Sequence, residues 1–137
     1  MNTRLLTSAI ALAALTVGWL APVHAHHSFA AEFDGNKPIT LKGIVTQIDW
    51  ANPHVWFYIK VTDDGGQTIR WACEMGAPHQ LQGRGWLRET MKVGDTVTVE
   101  GSLARDGSRR ANARAVTTAD GKRLGAASSG DPATPRQ

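Results

Sequence analysis

Two adjacent histidines, His26 and His27, stand directly after Ala25 at the end of an apolar leader. Cleavage after Ala25 would make His26 the first residue of the mature chain. Its free α-amine and imidazole Nδ1 could then close a six-membered chelate on one metal ion. A further imidazole, from His27, His54 or His79, would complete a set of three nitrogens. Nitrogen donors in a planar arrangement suit copper(II) best and zinc second. An α-amine titrates near neutrality, so a metal can free it at low cost. The competing reading is that both histidines are simply solvated, on an arm loosened by Asp34-Gly35.

His54 opens a second constellation. Asn52-Pro53 sets a turn before it, and a period of two then puts His54, Trp56 and Tyr58 on one face of a strand. Val55, Phe57, Ile59 and Val61 take the other face, toward a core. Arg70 and Glu74, on the strand expected to return beside it, would stand near the outward rings. Aromatic faces with a cation and a carboxylate suit stacking on a sugar, a peptide or another aromatic. Trp56, Tyr58, Arg70 and Glu74 are therefore a candidate ligand-binding set, for a small ligand or an envelope protein. The competing reading is that the rings are covered as structure, by Phe29 and Phe33 among others, since a small domain needs such cover to bury enough apolar area.

Catalysis finds little support. Cys73 reads as a small buried hydrophobe, and His79 is the only local base that could serve its thiol. Met75 with His79 could take copper(I), but at a loop-like spacing. Asp63-Asp64 sits in a Gly-rich turn and reads as a turn former. No phosphate-cradling glycine loop occurs. With no nucleophile, base and orienting group falling together, a binding module is expected, not an enzyme.

The elements that must position these residues read mainly as strands. Ile39–Asp49 is a β-prone run whose Gly43 suggests a bulge or bend, a device that lets one strand serve two sides of a small barrel. Val55–Thr62 and Thr68–Glu74 flank the turn Asp63-Asp64-Gly65-Gly66. Pro78–Gln82 can form a short helix with Pro78 near its start. Thr96–Gly101 and Asn112–Thr118 are further strands, and Arg123-Leu124 can pair briefly. The expected fold is thus all-β with a small α insert. The strand order is that of a five-stranded OB-like β-barrel with a short helix between strands three and four.

At 137 residues with one cysteine, the chain has room for one domain and none for a disulfide framework or a thiolate zinc cluster. Met1–Arg4 is a basic start, Leu5–Leu20 is almost wholly apolar, and Val23 and Ala25 are small residues ahead of a cleavage point, so residues 1–25 read as a signal peptide. Residues 26–38 then form an arm, 39–124 the barrel domain, and 125–137, rich in Ala, Ser, Gly, Pro and Thr, a disordered tail. Periplasmic residence follows, with no membrane span after cleavage. The formal charge is +3, and its basic excess lies beyond Gly101. A dense basic face is missing from this count, and nucleic acid is excluded as a partner on that ground.

Several motifs together resemble a family of small exported bacterial proteins with no assigned activity. They are His26-His27-Ser28-Phe29, Asn36-Lys37-Pro38, Leu41-Lys42-Gly43, Asn52-Pro53-His54-Val55-Trp56, Gly76-Ala77-Pro78, Gly85-Trp86, Lys92-Val93-Gly94-Asp95 and Arg110-Ala111-Asn112-Ala113-Arg114. The resemblance covers about residues 26–124. It implies a periplasmic home and an OB-like β-barrel, and brings no catalytic or binding residues. Cys73-Glu74-Met75 departs from the family pattern, which shows no sulfur pair there, and this argues against a site built on Cys73 and Met75.

Overall fold

The structure, a computed structural model, describes residues 28–131. The segment read as a signal peptide lies outside these residues, as do His26 and His27. Ser28 precedes a single helical turn, α1 (Phe29–Glu32), which runs directly into the long strand β1 (Phe33–Asp49). Then follow β2 (Trp56–Thr62), β3 (Thr68–Glu74), the short helix α2 (Pro78–Gln82), β4 (Thr96–Ala104), β5 (Arg110–Thr117) and β6 (Arg123–Gly125). The described residues are therefore mostly β, with six strands where five were expected. The added strand is the Arg123-Leu124 segment, which pairs antiparallel with β5. No helix among the described residues is long and apolar enough to cross a membrane.

The strands are hydrogen-bonded in the order β3-β2-β1-β4-β5-β6, and β3 also pairs with β5. Adjacent pairs are antiparallel except β3–β5, where Ala72, Cys73 and Glu74 run parallel to Arg110, Ala111 and Asn112. β1 serves two neighbours in turn. Pro38 to Ile44 pair with β4, and Ile44 to Asp49 pair with β2. Gly43 sits at that hand-over, where a Cβ would lie 2.5 Å from the Lys60 carbonyl oxygen. The bulge itself is two residues on, where the β1–β2 register shifts between Val45 and Gln47.

The period-two reading of β2 holds. Val55, Phe57 and Ile59 are buried, together with Trp71 and Cys73 of β3, Val97 and Val99 of β4, and Ala111 and Ala113 of β5. Leu81 of α2 and Trp86 complete this core, and the Trp86 indole N–H donates to the Gly125 carbonyl at 2.9 Å. Burying each such large side chain contributes about 1.5–3 kcal/mol. Pro78 fills the first turn of α2, where its missing N–H costs nothing, and the Gln80 side chain accepts from the Ala77 N–H at 3.1 Å.

Both ends of the described residues depart from expectation. The arm assigned to residues 26–38 is partly strand, since β1 begins at Phe33, paired with Ala104 across a register shift. Phe33 is buried, and that burial outweighs the polar Asp34–Lys37 stretch that hid the strand in the sequence. The tail assigned to disorder from residue 125 is packed as far as Ser128. Ala126 donates its N–H to the Arg114 carbonyl and accepts from the Gly76 N–H, both at 2.8 Å. Ala126, Ala127 and Ser128 are buried. Small residues without an apolar period read as coil, but here their size lets the backbone lie against Gly76, where a Cβ would meet the Ala127 oxygen at 2.4 Å.

Candidate functional site

The β2–β3 ladder extends one pair past the strand ends. Met75 donates its N–H to the Val55 carbonyl and Val55 donates to that of Gly76. His54 stands at this end, after the cis Asn52–Pro53 peptide. Glu74, the last residue of β3, points to the same side and is only 6% exposed. The two side chains meet: His54 Nδ1 contacts Glu74 Oε1. The imidazole remains partly open to solvent, with 36% of its side-chain surface exposed. A buried carboxylate needs partners, and Glu74 has a second in Asn112 of β5, whose Nδ2 donates to Oε2 at 3.3 Å. Asn112 Oδ1 in turn accepts from the Ser128 hydroxyl. Asn112 and Ser128 are 2% and 0% exposed.

A line of polar groups therefore runs inward from one half-exposed ring. The hydrogen bond to Glu74 raises the His54 pKa above its usual 6.5, against the opposing effect of burial, and the charges of Glu74 and Glu32 add to the rise. With Nδ1 held by the carboxylate, Nε2 is the ring atom left for other chemistry. This is the arrangement in which a carboxylate fixes the tautomer and orientation of a metal-ligating or proton-accepting imidazole. Sequence reading selected His54 and Glu74 for different roles. It missed Asn112 and Ser128 altogether, because they lie 38 and 16 residues from their partners and carry no local signal.

The amino-terminal side is tied down beside this network. The Arg105 N–H donates to the Glu32 carbonyl at 2.9 Å, and its guanidinium Nε donates to the Ala30 carbonyl at 2.8 Å. Arg110 bonds the Glu32 carboxylate at 3.2 Å and lies over the Phe33 ring at 5.9 Å. Phe29 stacks on Phe33 with ring centroids 6.0 Å apart. The turn between β4 and β5 thus holds α1 in place.

The candidate ligand-binding quartet is not assembled as an open platform. Trp56 and Tyr58 are half-buried on the outward face of β2 as expected. The Arg70 guanidinium, however, lies 4.0 Å from the Tyr58 ring centroid and donates to Gln47 Oε1 at 3.1 Å. It covers the ring it was expected to flank. Glu74 is a buried acceptor, not a displayed carboxylate, because the β3–β5 pairing brings Asn112 against it.

His79 stands exposed on α2. Among the described residues, no three His, Cys, Asp or Glu side chains gather as a metal set. Of the four predicted metal ligands, His54 is held by a carboxylate, and His26 and His27 lie outside the described residues. Cys73 is buried, and burial pushes its thiol up to about 12, so it is no nucleophile at neutral pH.

No curated protein matches the chain. A similar solved structure is the crystal structure of the mitochondrial single-stranded DNA binding protein Rim1 from S. cerevisiae. It is 15% identical, covers 60% of this chain and 92% of that one, and has a TM-score of 0.48. A likeness at this level assigns no ligand. Beside this neighbour, the exclusion of nucleic acid drawn from the charge distribution is withdrawn. Counting charges along the chain was the wrong measure, since Lys60 and Arg70 become cross-strand partners only in the folded sheet. Residues 14–113 match the family described as Family of unknown function (DUF6152), and the chain belongs to that family.

Proposed function

We propose that this protein is an exported metal-binding module, built on a five-strand OB-like barrel with β6 appended, that takes copper(II) through its mature amino terminus and His54. The observation that carries the reading is the pairing of His54 Nδ1 with buried Glu74, which leaves Nε2 as the open donor on a partly exposed ring. The barrel reading is supported by the parallel β3–β5 pairing, which links the two ends of the run β3-β2-β1-β4-β5.

Cleavage after Ala25 would leave the His26 α-amine and imidazole two residues before Ser28, the first described residue. The segment that follows is anchored through the carbonyls of Ala30 and Glu32, both of which accept from Arg105. The amine, its own imidazole and His54 Nε2 would make three nitrogen donors, with His27 as the alternative third. Copper(II) is the divalent ion that such a set favours, zinc the next. The Glu74 carboxylate makes His54 a more basic ligand and fixes its plane. The reading is of binding without catalysis.

The test uses untagged protein recovered from the periplasm, with its amino terminus read by intact mass. Copper(II) affinity is then measured by competition titration. One alanine inserted between Ala25 and His26 separates amine from imidazole and is expected to abolish tight binding. His54→Ala is expected to weaken binding by more than about 100-fold, beyond the loss usual for an outer-shell partner. Unchanged affinity in either variant ends the reading.

A further inference from the structure

The outward faces of β1, β2 and β3 carry positive charge that no carboxylate offsets. Along β1, buried Leu41, Gly43 and Val45 alternate with exposed Lys42 and Ile44. Ile44 pairs with Lys60 of β2 on one side and with Thr96 of β4 on the other, and Lys60 pairs with Arg70 of β3. Residues paired across antiparallel strands share a face. Arg70, Lys60, Ile44 and Thr96 therefore form one exposed row across the sheet, stepping about 4.8 Å per strand. Lys42 stands on the same face, two residues along β1 from Ile44. Among the described residues, Lys42, Lys60 and Arg70 make no ion pair. Carboxylates bordering these strands are held by other groups. Asp49 accepts from Gln47 Nε2 at 2.9 Å, Asp95 from the Lys92 N–H at 2.8 Å, and Glu100 from Arg123 at 2.8 Å.

Like charges directly opposite each other on a sheet are destabilising, so the Lys60–Arg70 pair costs the free protein stability. Arg70 eases that cost by lying over the Tyr58 ring and giving one N–H to Gln47, and its other N–H groups stay unspent. Two large apolar side chains accompany the cations: Ile44 is 50% exposed and Val93 65%. Each stands one residue from the hydrogen bond between the Gly94 N–H and the Val45 carbonyl, 2.8 Å long, which lays the turn at residues 92–95 beside β1. We propose that this face, centred on Lys60 and Ile44, docks an acidic segment of a partner protein, whose carboxylates meet Lys42, Lys60 and Arg70 and whose apolar side chains cover Ile44 and Val93. Charge complementarity carries the proposal, since a row of unpaired cations is relieved of its repulsion only against an anionic surface. The two exposed apolar residues point to a polypeptide, which brings carboxylates and hydrocarbon side chains on one chain. The proposal is independent of the metal reading, because none of these residues is a metal donor in it.

The probes are a peptide of glutamates around a central leucine pair, the same peptide with serines for the leucines, an oligothymidylate of equal charge, and phosphatidylglycerol vesicles. Affinities for the purified, metal-free protein are measured by titration at low salt, and the contact residues are mapped by amide shifts. The leucine peptide is expected to bind most tightly, to shift Lys42, Ile44, Lys60 and Arg70, and to weaken as salt is added. Lys60→Glu turns attraction into repulsion at the centre of the row and is expected to lower that affinity by about tenfold. It should also raise the urea midpoint, because it replaces a like-charge pair with an opposite one. Lys42→Glu, which faces Thr98 and no cation, should lower affinity without that gain in stability. Ile44→Ser should bring the affinity for the leucine peptide down to that for the serine peptide. Leu87→Ser, at an exposed apolar residue outside the row, should change neither. Failure of the leucine peptide to bind overturns the proposal, as does an affinity unmoved by Lys60→Glu and Lys42→Glu. Equal binding of the two peptides, or tighter binding of the oligothymidylate or the vesicles, overturns the choice of a protein segment.

Discussion

An imidazole that is held by one nitrogen and open at the other is defined by its neighbours, and His54 shows how far those neighbours reach. Its raised pKa comes first from the bond to Glu74, so removing that acceptor should bring it back. Glu74→Gln is expected to lower the His54 titration midpoint toward 6.5, read by proton NMR of the ring. The linkage sign follows from the direction of the shift. A folded-state pKa above the unfolded 6.5 stabilises the fold fully below 6.5, and that contribution fades as pH rises through the folded value. The stability gap between the parent and Glu74→Gln should therefore be widest below 6.5 and narrow at alkaline pH, in denaturant titrations of the metal-free protein. A gap that widens with pH would contradict the pairing. His54 was legible in the sequence from its place after Asn52-Pro53 and its outward register. Its dependence on Asn112 was not, because a contact between residues 54, 74 and 112 is a product of the β3–β5 pairing.

Among the elements, β1 bears the most constraint, since one strand of 17 residues serves β4 with its first part and β2 with its last. Gly43 permits this by letting the Lys60 backbone approach within the space a side chain would take. Gly43→Ala forces backbone apart at a point where neither strand can shift freely. It is expected to destabilise the fold by about 1–3 kcal/mol, in the range of overpacking in a well-filled core. Urea unfolding checks this, and a loss below the error of the midpoint would show the crossing to be looser than drawn. The glycine was visible in an otherwise β-prone run, which marked a local irregularity. The true bulge, between Val45 and Gln47, was not visible, because Thr46 fits a regular strand as well as a bulged one and its hydroxyl finds the Tyr58 carbonyl only in the folded pairing. The period of β2 was the clearest signal in the chain, and its alternation set the inner and outer faces without further help.

At the scale of the whole molecule, the two ends of the described residues meet. Residues 126–128 pack against Gly76 and Arg114, and Gly130 lies against the Phe29 ring. A chain ending at Gly125 loses the two backbone bonds of Ala126, the burial of Ala127 and Ser128, and the ion pair between Arg84 and Asp131 at 3.4 Å. At about 1 kcal/mol for each bond, the loss is about 2–3 kcal/mol, with little from the ion pair. For a domain of this size that lowers Tm by on the order of 10 °C. Differential scanning calorimetry checks it, and an unchanged Tm would return the segment to the disordered tail that its composition suggests.

Composition, period and turn residues act over a few neighbours, and they were enough for the mostly β class, the inner face of β2 and the short helix after Gly76-Ala77-Pro78. Family membership was foreshadowed by motifs spread along the chain. The partners of His54, the burial of Glu74, the cover of Arg70 on Tyr58 and the packing of residues 126–128 all depend on contacts between distant segments. Such contacts are chosen by the free energy of the assembled core, where a small residue read as coil gains more from fitting against a glycine than its local preference opposes.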